Sequence, residues 1–374
     1  MPTVRNRLLA PAELDAFGAE LDALRARTLA TLGQKDADYI RAVVRSVRYT
    51  GFAGRALIML GAIAGAFVPW LFWPALVLGT LALAWSKIVE NMEVGHNVIH
   101  GQYDWMRDPH LDGRTYDWDI VATAEYWRKT HNFQHHTYTN VRGMDDDIGY
   151  GLLRIFPEQK WRPFHLTQPL IAIVFAVLFE WGVALQDVRL GSAFSGRNRV
   201  ARFLRKFAPV GRKISKQVLK DYVLFPALAG PWFLPVLLAN AVANVLRNLW
   251  TYVIIFCGHF TADAETFPKD ALKNESRGHW YLRQLRGSSN LTGGAWIDFM
   301  SGNLSHQIEH HFYPDVPANR YSAMAKEVRA ICARYGQHYD AGSLPVQFGQ
   351  VAWRILRHAW PSRAPARLAE GAAG

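Results

Sequence analysis

Two pairs of apolar runs limit what this chain can fold into. ALIMLGAIAGAFVPWLFW (56–73) is followed at once by PALVLGTLALAW (74–85), and VLFPALAGPWFLPVLL (223–238) by ANAVANVLRNLWTYVIIFCG (239–258). Each pair has about the length of two crossings of a hydrocarbon layer roughly 30 Å thick, with a tight turn between them. Trp70, Trp73, Trp85, Trp232 and Trp250 lie near the run ends, where interfacial aromatics are expected. The expected fold is an all-α integral membrane protein with four transmembrane helices in two hairpins.

A fifth run, PLIAIVFAVLFEWGVALQ (169–186), contains Glu180. The segment from Arg189 to Lys220 that follows holds ten Lys or Arg and no acid, which places it on the cytoplasmic side. A full crossing by the fifth run would strand His259 opposite the earlier histidines, so a buried or interfacial segment is expected there. Residues 1–50 show no secretory apolar core and are expected to form cytosolic amphipathic helices, roughly over 11–46. Residues 51–340 form the membrane-bound domain, and 341–374 a cytosolic extension whose end, from Pro361, has the Pro, Ala and Gly content of a disordered tail. Lys and Arg exceed Asp and Glu by 42 − 31 = 11, an excess that suits anionic lipid or an acidic partner; beside membrane spans it argues against a nucleic-acid binder. Cys257 and Cys332 lack any metal or disulfide spacing.

Nine of the fourteen histidines occur in four places: GHNVIH (His96, His100), HNFQHH (His131, His135, His136), CGHF (His259) and HQIEHH (His306, His310, His311). On a helix, positions i and i+4 are about 40° apart, so His96 and His100 can grip one ion. Neighbours in an HH doublet differ by about 100°, which suits two adjacent ions. So many imidazoles exceed what one ion accepts, and a four-ligand structural zinc does not fit. Imidazole also suits copper and nickel, but two irons open to dioxygen fit best. Glu93, Glu125, Asp145, Asp146, Glu309 and Asp315 are candidates to accept the second ring N–H of such ligands. Because each hairpin returns to the side it left, all four groups gather at one membrane face, in a helical cytosolic cap.

GHNVIH, HNFQHHTYTN and HQIEHHFYPDVP, in that order with hydrophobic pairs between, resemble the three histidine boxes of the membrane-bound fatty acid desaturases over roughly residues 50–340. HHTYTNVRGMDDDIGYGLLR and NLSHQIEHHFYPDVPANRY are most similar to bacterial acyl desaturases of the linoleoyl-CoA type. The resemblance implies a di-iron, dioxygen-dependent oxidoreductase that removes two hydrogens from adjacent methylenes of a long acyl chain and leaves a cis double bond. It implies His96, His100, His131, His135, His136, His310 and His311 as iron ligands, with His259 matching an extra histidine of stearoyl-type enzymes. Where those enzymes carry a water-linked asparagine one turn earlier, this chain has Ile255. In the third box the family takes His or Gln first; His306 is expected as the ligand, with Gln307 as its alternative.

The acyl group is expected on CoA, on acyl carrier protein or in a phospholipid of a bacterial inner membrane. No heme-binding HPGG occurs, so electrons are expected from a separate ferredoxin, flavoprotein or cytochrome b5-like donor. A di-iron hydroxylase shares the boxes. A histidine-rich metal-binding or transport protein is the rival from another class; against it, no string of polar residues is expected through the spans.

Overall fold

The computed structural model describes residues 6–188 and 199–362, and within these the side chains of Asp187, Arg199, Val200 and Arg202 are left out. The basic stretch 189–198 and the tail beyond 362 lie outside the described residues. The described residues are mostly helical, with two three-residue strands among them. Helix α1 (Pro11–Ala30) is followed by α2 (Gln34–Gly65), which runs unbroken from the charged N-terminal segment through residue 50 into the first apolar run. A turn at residues 66–68 reverses the chain into α3 (Pro69–Val89), whose first residue is a proline, the position where a missing N–H costs nothing. The turn was expected after Trp73, but Pro74 sits inside α3. One turn of π-helix (Glu90–His96) and a short α-helical piece (Asn97–Ile99) continue α3 to the first histidine box.

The α2–α3 seam is closed by small residues. A Cβ at Gly54 would lie 2.7 Å from Leu83 N, and one at Gly79 2.8 Å from Gly54 O, so the backbones touch where a side chain would separate them. The outward faces of this hairpin stay apolar and uncovered, as Phe67, Trp70, Trp73, Leu78 and Leu81 show.

A short helix α4 (Ala124–Trp127) widens into a π-helical stretch, Arg128–His135, carrying the second box. The fifth apolar run is two helices, α5 (Gln168–Val177) and α6 (Phe179–Val188), bent by 99°. Helix α7 (Arg199–Gln217) leads through a third π-helical stretch, Val218–Leu224, to the turn at Gly230 and then into α8 (Phe233–His259). The break expected after Leu238 lies instead at 229–232, so 239–258 is not a span of its own but most of one long helix. By length and composition two helices, Pro69–Ile99 and Gly230–His259, are able to cross a membrane, and the bent pair is a third if counted as one.

No string of polar residues was expected through the spans, yet the interior of the bundle holds charge. Asp221 accepts from Arg55 (2.7 Å), Lys87 (2.9 Å) and Asn244 (3.2 Å), while buried Arg247 pairs with buried Glu180. On α8, Asn240, Asn244, Arg247 and Asn248 recur at helical spacing, giving one inward polar stripe. Each charge has its counter-charge, the condition under which such residues are tolerated away from water.

The C-terminal half closes over the boxes. Helix α9 (Arg277–Arg286) packs on α1, and the strand β1 (Asn290–Thr292) pairs in parallel with β2 (Ala341–Ser343). The third box forms α10 (Gln307–Phe312), next to α11 (Tyr321–Arg334) in a core with Phe17, Leu21 and Tyr281. Helix α12 (Leu344–Ala359) lies on α5 and α8.

Candidate metal centre

Eight of the nine expected histidines come together. His96, His100, His131 and His310 form one group, and His135, His259 and His311 a second, each with ligand atoms within 4.8 Å of one another. His136 lies between them: its ring stacks on His311 at 4.3 Å and meets His100 and His310 at 4.7 Å. The doublet logic describes this division, since His310 faces the first group and His311 the second. The i, i+4 logic holds for the first box but not for the second. His131 and His135 have nearly parallel rings 5.0 Å apart, each held by its own carboxylate, so they point side by side into different groups.

Ring orientation is fixed from behind. The Nδ1–H of His135 donates to Asp145 (2.9 Å) and that of His131 to Asp147 (3.2 Å). His259 Nδ1 donates to the Gly287 carbonyl (3.1 Å), and His311 Nδ1 to Gln284 Oε1 (3.0 Å). His96 Nδ1 donates to Asn97 Oδ1 (3.2 Å). The amides cannot turn round: Asn97 Nδ2 donates to Glu93 O, and Gln284 Nε2 to His136 O. His310 Nδ1 faces the Tyr321 hydroxyl at 3.4 Å. A proton held on each Nδ1 leaves the Nε2 lone pair aimed inward.

Those inward atoms have no ordinary satisfaction. Nε2 of His259 lies 3.3 Å from His135 Nε2 and 3.1 Å from His311 Nε2, lone pair against lone pair. The Nε2 atoms of His100 and His310, both ring nitrogens of His136, and Gln307 Oε1 are buried without a partner. Burial holds His131, His136, His310 and His311 well below the ordinary histidine range, hence neutral. For His135, burial pulls the same way, but the Asp145 carboxylate outweighs it and raises the value. A cage of mostly neutral imidazoles with oriented lone pairs fits divalent cations such as iron.

His306 is not part of this cage. The α-helix begins at Gln307, so His306 stands just outside it, at φ −102° and ψ 55° at the end of a short 3-10 turn, its Nε2 3.5 Å from Asp298. Gln307 takes the place instead, three residues before His310 and one helical turn before His311. Its amide Nε2 lies 2.9 Å from His259 Nε2. Gly258 makes room for it, since a Cβ there would come within 3.0 Å of the Gln307 side chain.

Of the six acids named from sequence, one touches a ring: Asp145. Glu93 receives Tyr39 (2.7 Å) and Asn303 (2.9 Å), and reaches His96 only through Asn97, which its backbone carbonyl holds. Glu309, pushed up to about 7 by burial, is held by Asn290 and Tyr339, both at 2.8 Å. Glu125 and Asp146 are exposed, and Asp315 pairs with Arg25. The contacts missed were Asp147, Asn97, Gln284 and the Gly287 carbonyl. Asp147 had a signal: in the run Asp145–Asp147 the outer two share a side of the turn, and Asp147 N donates to Asp145 Oδ1 at 2.9 Å. A narrow, mostly apolar cavity lies between the Glu90–His96 stretch, α6 and α8, lined by His96, Ile255, Met92, Trp118, Val183 and Arg247 among others.

Residues 68–343 match the family described as Fatty acid desaturase. The chain belongs to the fatty acid desaturase family. It is 44% identical over 352 residues to the NADPH-dependent stearoyl-CoA 9-desaturase of Mycobacterium tuberculosis, covering 93% of this chain and 80% of that one. It is 26% identical to the sn-1 linoleoyl-lipid 6-desaturase of Synechocystis (73% of this chain, 77% of the relative) and 25% to the Acyl-lipid (7-3)-desaturase of Rebecca salina (86% and 76%). This desaturase is accordingly an oxidoreductase that introduces a double bond into an acyl chain, the reaction expected from the boxes.

Proposed function

We propose that this desaturase holds two irons and forms a cis double bond in a long-chain acyl-CoA, using dioxygen and an external electron donor. His96, His100, His131 and His310 would hold one iron, His135, His259, His311 and Gln307 the other, and His136 would serve at the boundary. The observation that supports this most is the set of inward Nε2 lone pairs with Nδ1 tied outward. The CoA ester follows the 44% identical relative, which is named for stearoyl-CoA. In the same reading the two hairpins cross the membrane four times, with the apolar faces of α2 and of residues 218–228 completing the spans. The bent pair α5–α6 stays within one leaflet, and the metal cage sits at the cytoplasmic face of a bacterial inner membrane.

Bound iron would supply the activation of dioxygen that hydrogen abstraction from an unactivated methylene requires. The protein's own part is placement. Met92, Ile120, Val183 and Leu304 line the cavity beside His96 and would hold the acyl chain extended with one pair of carbons next to the first group. Trp127 lies flat on His131 at 4.1 Å and walls that ring off from the outside. The carboxylates of Asp145 and Asp147 keep their imidazoles from rotating as charge on the centre changes.

Expression in a host without polyunsaturated acids, followed by gas chromatography and mass spectrometry of total fatty acids, tests this. A new cis double bond in a long chain is the expected product; a new hydroxyl group in its place would contradict the proposal.

A further inference from the structure

Desaturation takes two hydrogens from the acyl chain and two electrons with two protons from outside, and reduces one dioxygen to two waters. The outside electrons must reach the histidine cage, and the helix of the second box has one face on that cage and the other exposed. The second-box helix has His131 and His135 on its inner side, while Glu125, Lys129 and Phe133 follow at one-turn spacing on its outer side. Phe133 is 64% exposed, a large apolar ring at the surface one turn beyond the exposed Lys129. A surface cleft opens one turn back along the helix, floored by Tyr126 and Thr130 and rimmed by Lys129 from this helix and Arg205 and Lys206 from α7. Among the described residues none of these three cations makes an ion pair, and the one acid in the cleft is Glu125. Beneath the floor the Trp127 ring lies against His131.

We propose that this cleft, with Phe133 one turn farther along the helix, is where an acidic electron-transfer protein docks and where electrons enter, passing by Trp127 to the first histidine group. Each docking event oxidises the donor by one electron, and two events serve one double bond. An exposed aromatic ring beside a rim of unpaired cations fits the small, charge-steered interfaces of transient electron-transfer partners. A wholly hydrophilic basic face would suit a topology signal equally well; the exposed Phe133, on the helix that carries His131 and His135, is what a topology signal leaves unexplained.

This inference rests on the desaturase using external electrons, and the test separates the two. Reduction of the iron-loaded full-length enzyme is followed with dithionite and, separately, with a reduced acidic [2Fe–2S] ferredoxin at low and high salt. K129E/R205E/K206E should slow reduction by ferredoxin about tenfold or more at low salt, and high salt should slow the unaltered enzyme likewise. Phe133→Ser should slow ferredoxin reduction as well. Dithionite reduction and the double bond formed after it should not change in either variant. Reversal of Lys35, Lys160 and Lys326, exposed cations elsewhere, should leave both routes unchanged. Unaltered ferredoxin rates in K129E/R205E/K206E would overturn the proposal, whether or not the variant binds anionic vesicles more weakly. So would an unaltered enzyme that turns over after dithionite but takes no electrons from the ferredoxin. Absence of any double bond after dithionite and dioxygen would instead remove the desaturase reading beneath it.

Discussion

The first histidine group borders the apolar cavity, with His96 on its wall, and its rings are backed by Asn97, Asp147 and Tyr321. The second group lies away from that cavity, backed by Asp145, Gln284 and the Gly287 carbonyl, and carries Gln307 in place of a fourth imidazole. The two groups use similar ligand chemistry but have different surroundings: one borders an apolar cavity, while the other is enclosed by a polar shell. The asymmetry implies that damage to the first group appears in chemistry on the chain, and damage to the second in how well metal is held.

His136 faces both, so His136→Ala should break the comparison outright, with activity at background and iron lost from both groups in metal analysis. Asp145→Asn leaves the shape of the side chain but weakens the hold on His135; metal affinity should fall by about 10–100-fold, measured by chelator competition. Asp147→Asn should cost less affinity than Asp145→Asn, and an equal loss would show that the two groups are not backed differently. Gln307→Ala should lower iron content and activity by about tenfold, whereas His306→Ala should keep its iron. The reverse order would return the third box to the His306 register. Val183→Trp fills the cavity at a cost of about 1–3 kcal/mol in stability and should shorten the preferred acyl chain with iron content unchanged. The smallest effect belongs to Glu125→Gln, which sits on the surface; its stability should stay within about 0.5 kcal/mol and its iron content should not move.

The residues legible from sequence were those whose chemistry repeats. Three boxes in order gave the cage, and the 100° step within a doublet gave the division of His310 from His311. The apolar runs gave the hairpins but not their turns, because hydropathy does not mark where a continuous apolar helix begins; Pro69 and Gly230 do, and both lie inside the runs. His306 was misplaced because its i, i+4 relation to His310 assumes a helix that includes it, whereas the helix starts one residue later, at Gln307. The buried charges Asp221, Lys87, Glu180 and Arg247 escaped notice as a set because partners far apart in sequence meet only in the folded bundle. Amide and carbonyl groups that orient imidazoles, such as Gln284 and Gly287, have no spacing rule at all; proximity in sequence to a box drew attention instead to Glu125 and Asp315, which face away.

Metal analysis of the protein purified from iron-supplied cells tests the central claim most directly. A cage of paired histidine groups with inward lone pairs should hold about two irons per chain. One zinc per chain and no iron would contradict it.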